Sequence, residues 1–129
     1  MTRSIDQSKA INYFTKAENS LRIAKIALQE KAYDAAVVNA VHSSINALDA
    51  LTTFYLGKRS SGQHTDVLNL IKGILTSDEF EDVKKQFSAL LSMKNESEYQ
   101  PDLMDMTDAE KAIMRAERIL SKVKLKIKK

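Results

Sequence analysis

The chain has 129 residues, with one proline, three glycines, no cysteine and no tryptophan. This length suits a single domain over residues 1–129, because domains cluster near roughly 100–150 residues and need no staples at that size. With 43% apolar and 29% charged residues, the composition excludes a disordered tail, and the missing cysteines exclude disulfides, thiolate metal sites and a Cys nucleophile.

Residues 7–29 are predicted as the first helix. Ile11, Phe14, Ala17, Leu21, Ala24 and Leu28 recur there at spacings of three and four, which makes one apolar stripe. Tyr33 and Asp34 open a second, more apolar helix running to Gly57. Its inner line is Val37, Val41, Ser44, Leu48, Leu51 and Tyr55, widened by Val38 and Ile45. So broad an arc implies neighbours on several sides, making this the central helix. In a lone bundle it would also leave apolar surface for a homodimer. The longest apolar run, Ala35 to Val38, is far below the ~20 residues of a bilayer span, so no membrane is expected.

Gly57 suits a helix C-terminus, and Lys58–Gln63 is the clearest loop. A short third helix is expected from Thr65 to Leu75, carrying Val67, Leu68 and Ile71. Thr76-Ser77-Asp78-Glu79 fits a capping box for a fourth helix, in which Phe80, Val83, Phe87, Leu90 and then Lys94 keep the helical spacing. Pro101 ends it, since the residue before proline is pushed out of the α region, and Pro101 to Met106 forms a linker. Thr107-Asp108-Ala109-Glu110 reads as a second capping box. It opens a last helix lined by Ala112, Ala116, Ile119, Val123 and Ile127. Short connections favour antiparallel neighbours, so the fold class is all-α: an up-and-down four-helix bundle with an additional short helix.

The net charge of +3, from 20 basic and 17 acidic residues, is too small for nucleic-acid binding by charge alone. The excess is local, with Lys122, Lys124, Lys126, Lys128 and Lys129 crowding the last eight residues. Such a run attracts phosphate by counterion release, or simply complements the negative end of a helix dipole. Met1–Asp6 lacks the apolar core of a secretory signal, so a cytoplasmic protein is expected.

Candidate chemistry is sparse. His42 lies about 140° from the centre of its helix's apolar stripe, on a polar ridge with Asn39, Asn46, Asp49 and Thr53. That ridge is either a wetted face or the lining of a groove or seam. His64 stands at the start of the short helix beside Thr65 and Asp66, where it can assist a cap. Neither histidine has a partner at metal-ligand spacing, so no metal or other cofactor is expected. Gly57, Gly62 and Gly73 match no phosphate-loop spacing, and no serine stands in a nucleophile elbow. The distinctive segment is Met93-Lys94-Asn95-Glu96-Ser97-Glu98-Tyr99-Gln100-Pro101-Asp102, whose polar residues interrupt an apolar line. Asn95 and Tyr99, four apart, share a face while the helix lasts.

The order of elements, the short helix after Gly62-Gln63-His64, the Lys94–Tyr99 segment and the closing Ala109-Glu110 to Ile119-Leu120 stretch together resemble a HEPN domain over nearly the whole chain. The resemblance implies an all-α up-and-down bundle that commonly pairs as a homodimer. The resemblance implies that active members are metal-independent endoribonucleases, marked by an Arg, often followed by Asn, and a His after four to six intervening residues. Carried over, Lys94 stands for that Arg, Asn95 matches the Asn and Tyr99 takes the place of the His. Lysine contacts phosphate as a point charge without arginine's bidentate fork. An ordinary phenol, with a pKa of about 10, is only about 0.1% ionised at pH 7, and loss of a matched acid–base group typically costs about 10²–10⁴ in rate.

Beside a plain scaffold whose polar ridge at Asn39, His42, Asn46 and Asp49 serves assembly alone, two readings stay open. In one, the chain is a non-catalytic dimeric interaction module, contacting RNA or nucleotide through Lys94, Asn95, Tyr99, His42 and Asn46. The resemblance implies a second kind of partner for it, a minimal nucleotidyltransferase in a toxin–antitoxin or stress-related system. In the other, it is an endoribonuclease with a degenerate Lys94/Asn95/Tyr99 motif, in which His64 substitutes for the missing imidazole.

Overall fold

The computed structural model describes residues 2–60 and 64–127. Five helices carry nearly all of it: α1 (Ala10–Gln29), α2 (Tyr33–Leu56), α3 (His64–Ile71), α4 (Ser77–Tyr99) and α5 (Met106–Ile127). Helices α1, α2, α4 and α5 form the up-and-down bundle, and α3 is the short extra helix.

α2 is buried along two lines. Ala36, Ala40, Ser43, Ala47 and Ala50 form one, following helical spacing around Ser43. Ser43 Oγ donates to the Ala17 carbonyl of α1 at 2.7 Å, so this line faces α1. There it meets a stripe of Ala10, Phe14, Ala17, Leu21, Ala24 and Ala27. The second line is the expected Val37, Val41, Ser44, Leu48 and Leu51, all buried. It shares the core with Val83, Phe87 and Leu90 of α4 and Ala112, Ala116, Ile119 and Val123 of α5. Ile11 departs from expectation and is exposed. Ala10 heads the stripe instead, and one residue of helix turns Ile11 about 100° away. Tyr55 is at the surface rather than inside, with its hydroxyl donating to the Lys126 carbonyl at 2.5 Å.

The loop expected at Lys58–Gln63 begins as a strand. β1 (Thr2–Ser4) pairs antiparallel with β2 (Lys58–Ser60), Thr2 opposite Ser60. The Ile5 N–H donates to the Gly57 carbonyl at 2.8 Å and Gln7 Nε2 to the Phe54 carbonyl at 3.0 Å. The segment ahead of α1 thus satisfies carbonyls that the end of α2 leaves open. Gly57 takes the left-handed conformation at φ +62°, and a Cβ there would stand 3.3 Å from the Ile5 carbonyl oxygen. Ser61, Gly62 and Gln63 lie outside the described residues.

The α4 capping box forms as expected: the Glu79 N–H donates to Thr76 Oγ1 at 3.2 Å, and the Thr76 N–H to Glu79 Oε1 at 2.9 Å. The second box is displaced by two residues. Asp105 caps α5, taking the Asp108 N–H on Oδ1 at 2.8 Å and donating its own N–H to Asp108 Oδ2 at 3.0 Å. Aspartate caps at least as well as threonine, and Asp105–Asp108 preserves the reciprocal spacing with a shorter acid at the third position. Polar pairs join α4 to α5: Glu79–Lys126 at 2.8 Å, Asp82–Arg118 at 2.8 Å and Gln86–Arg115 at 2.9 Å.

The α1–α2 turn closes with the Ala32 N–H on the Ala27 carbonyl at 2.8 Å and the Lys31 N–H on the Leu28 carbonyl at 3.1 Å. That pattern puts a residue in the left-handed region, and here it is Lys31 at φ +63°. Lys31→Gly is therefore expected to stabilise the fold by about 0.5–1 kcal/mol, the left-handed penalty less the glycine entropy. Ala24→Leu, against the crowded α1–α2 seam, is expected to cost about 1–3 kcal/mol. Urea midpoints read both.

Candidate functional site

Lys94, Asn95 and Tyr99 lie on the last turns of α4, which Gln100 leaves in extended geometry (φ −102°, ψ 147°) ahead of Pro101. The Lys94 side chain is 22% exposed, and its Nζ sits 2.6 Å from Glu98 Oε1, one turn on. A surface pair at this spacing contributes about 0.3–0.5 kcal/mol, and lysine ahead of glutamate is the weaker order. Asn95 is exposed, and Tyr99 is 77% exposed.

The linker beyond Pro101 is pinned from α2. Asp34 Oδ1, in the first turn of α2, accepts the Met104 N–H at 3.0 Å and the Ser97 hydroxyl at 3.4 Å. This ties the end of α4 and the approach to α5 onto the start of α2, where the helix dipole favours a carboxylate. Two open clefts meet at Leu103 and Met104. One, of about 520 Å³, is lined by Glu96, Gln100, Asp102 and Asp108. The other, of about 330 Å³, is lined by Lys31, Tyr33 and Asp34. Leu103 is 84% exposed between them.

The charge of this end is one-sided. From Glu96 to Glu110 the chain carries Glu96, Glu98, Asp102, Asp105, Asp108 and Glu110, with no lysine or arginine among them. A carboxylate about 8 Å away in water raises the energy of a unit anion by about 0.5 kcal/mol before screening.

The α2 ridge divides along its length. His42 is exposed, while Asn39 and Asn46 are half-buried with their amides donating to the Ala35 carbonyl at 2.9 Å and the His42 carbonyl at 3.0 Å. Asp49 and Thr53, further along, are buried. Among the described residues no hydrogen bond or ion pair joins His42 to Lys94, whose partner is Glu98. The His64 side chain lies outside the described residues. Among those described, no group of three or more His, Asp or Glu is placed to hold a metal ion, and no helix is long and apolar enough to cross a membrane.

Three groups with structural consequence go beyond the motifs read from sequence. Glu98 as the partner of Lys94 is legible from its spacing of four. Asp34 as the anchor of the linker carries no local signal, because its partners lie 63 and 70 residues away. The third is the buried neighbourhood of Asp49. Burial pushes its carboxyl up to about 6 from the ordinary 3.8, while the Arg59 guanidinium pulls it back in part. Arg59 Nη1 donates to the Ser60 carbonyl at 3.0 Å, and its Nε and Thr53 Oγ1 are buried without hydrogen-bond partners among the described residues.

An all-α up-and-down bundle, with a polar segment closing its fourth helix, defines a class of small helical domains. Within that class the HEPN domain model matches residues 11–126, so the chain belongs to the HEPN domain family. The crystal structure of TT1696 from Thermus thermophilus superposes with a TM-score of 0.70 at 21% identity, covering 92% of this chain and 98% of that one. At that identity the likeness speaks for the fold. No curated protein matches the chain.

The Asp49 shift sets a pH dependence. A carboxyl whose pKa is raised on folding binds its proton more tightly in the native state, so its ionisation destabilises the fold as pH rises from about 4 through 6. Asp49→Asn is expected to gain on the order of 2–3 kcal/mol at pH 7.5, at about 1.4 kcal/mol per pKa unit. The gain should vanish below pH 4, as read by urea midpoints across pH.

Proposed function

We propose that this chain is a non-catalytic HEPN interaction module, pairing as a homodimer and working through protein contacts rather than by cutting RNA. One observation carries the reading: Lys94 is paired with Glu98 at 2.6 Å, with no histidine bonded to it among the described residues. A metal-free ribonuclease needs a cation free for the scissile phosphate and a group that both takes and returns a proton near neutrality. Exposed Tyr99 supplies a hydroxyl in the second role, and the cation of the first is occupied by Glu98. RNA or nucleotide contact through Lys94, Asn95 and Tyr99 is disfavoured by the Lys94–Glu98 pair, and His42 and Asn46 stand apart from them on α2, Asn46 donating to the His42 carbonyl. Phosphate attraction is better served by Lys122 and Lys124 on the last turns of α5. The family resemblance supports a minimal nucleotidyltransferase as partner, within a toxin–antitoxin or stress-related setting.

The second reading, a metal-independent endoribonuclease using Lys94, Asn95 and Tyr99, draws on the exposure of Asn95 and Tyr99 one turn apart. One assay separates the two. Purified protein incubated with structured and single-stranded RNA in chelator, from pH 5 to 9, is expected to yield no 2′,3′-cyclic phosphate ends. Cleavage that disappears with Lys94→Ala or Tyr99→Phe would overturn the non-catalytic reading.

A further inference from the structure

Each end of the bundle carries an exposed apolar knob. At the α4–α5 junction, Leu103 (84% exposed) lines both clefts, one rimmed by Glu96, Asp102 and Asp108 and the other by Lys31 and Asp34, and Tyr99 (77%) is exposed on the last turn of α4. At the opposite end the Tyr55 hydroxyl and Glu79 hold Lys126, which sets the last turn of α5 beside the end of α2 and the start of α4. There Leu125 is 76% exposed, between Lys122 and Lys124 on one side and Lys126 on the other, on a cleft of about 420 Å³ shared with Met114 and Arg118. Of the carboxylates lining this cleft, Asp82 and Glu117 are engaged by Arg118 and Lys25, which leaves Lys122 and Lys124 as the cations beside Leu125.

We infer that the Tyr99–Leu103 end of one copy docks on the Lys122–Leu125 turn of a second copy, head to tail. Apolar knob meets apolar cleft, and the carboxylate rim meets the lysines. The net charge of +3 makes copies repel at long range. At about 0.1 M salt that repulsion is screened beyond about 10 Å, while the complementary contact at short range remains. The contact is heterologous, so each copy keeps one free donor and one free acceptor, and assembly grows with concentration instead of stopping at two. It is separate from the symmetric pairing that family membership implies, and does not depend on it. Of the possible cationic occupants, a second copy is favoured because this chain itself presents the matching surface.

Sedimentation equilibrium of the full chain tests the inference. In about 0.1 M salt the average mass is expected to rise at least about twofold between roughly 10 and 500 µM, and to fall back in about 1 M salt, where the screening length is about 3 Å. Leu103→Lys and Leu125→Asp, both at exposed positions, should each abolish the rise. Mixing the two variants should then restore a species one step larger, because each retains the surface the other lost. A mass independent of concentration would overturn the inference. So would variants that associate like the wild type, or a mixture that gains nothing. Binding of a lysine-rich peptide to Tyr99–Leu103 without self-association would assign that end to a different cationic partner, and equally overturn it.

Discussion

Helices α1 and α2 approach closely because the residues between them are mostly alanine, and the Ser43 hydroxyl reaches the Ala17 carbonyl at 2.7 Å across that seam. A hydroxyl on a side chain as short as serine's reaches a neighbouring helix's carbonyl only where small residues let the two backbones come close. The seam spends one face of α2 on small side chains, which leaves Val37, Val41, Leu48 and Leu51 for α4 and α5 on another. Without it the central helix could not be lined on two sides by partners of such different bulk. Interiors packed to crystal-like density tolerate little change in volume at such a contact.

The same central placement explains what the candidate site is and is not. The start of α2 lies where α4 ends, so Asp34 can hold the linker by Met104 and Ser97. That anchor keeps the acidic stretch from Glu96 to Glu110 against the end of α4. Lys94 itself, one turn before the helix end, has its ammonium on Glu98. The wide apolar arc of α2, which from sequence alone argues for a second copy on that helix, is largely consumed inside the single chain. Val38 and Ile45 remain half-buried and His42 exposed. Exposed apolar side chains remain along α1, at Ile11, Ile23 and Ile26, and at the two ends of the bundle.

Helix positions are legible in the sequence because their signals are local. The Thr76 box, Gly57 and Pro101 each mark a boundary through backbone chemistry confined to a few residues. The Ala36–Ala50 line is hard to see because alanine is weakly hydrophobic, and its spacing hides beside the stronger Val–Leu stripe. The ribbon of Thr2–Ser4 with Lys58–Ser60 is equally hidden, because three residues cannot display a period of two. At the α5 start two overlapping motifs compete, and the pattern that begins at Thr107 gives way to Asp105, which does the capping. In the site, the motif positions are readable, but the field around Lys94 depends on how Asp34 folds the linker back, a contact spanning 70 residues.

Thr2–Ser4 is held on Lys58–Ser60, and the last turn of α5 is held at Lys126 by Tyr55 and Glu79. Both extremities of the described chain therefore emerge at one pole. α4 spans 23 residues, about 35 Å at 1.5 Å per residue, between that pole and Tyr99. A fluorophore joined near Thr2 and another placed by Leu103 would sit a helix length apart within a molecule, so energy transfer between differently labelled molecules would report polarity of contact directly.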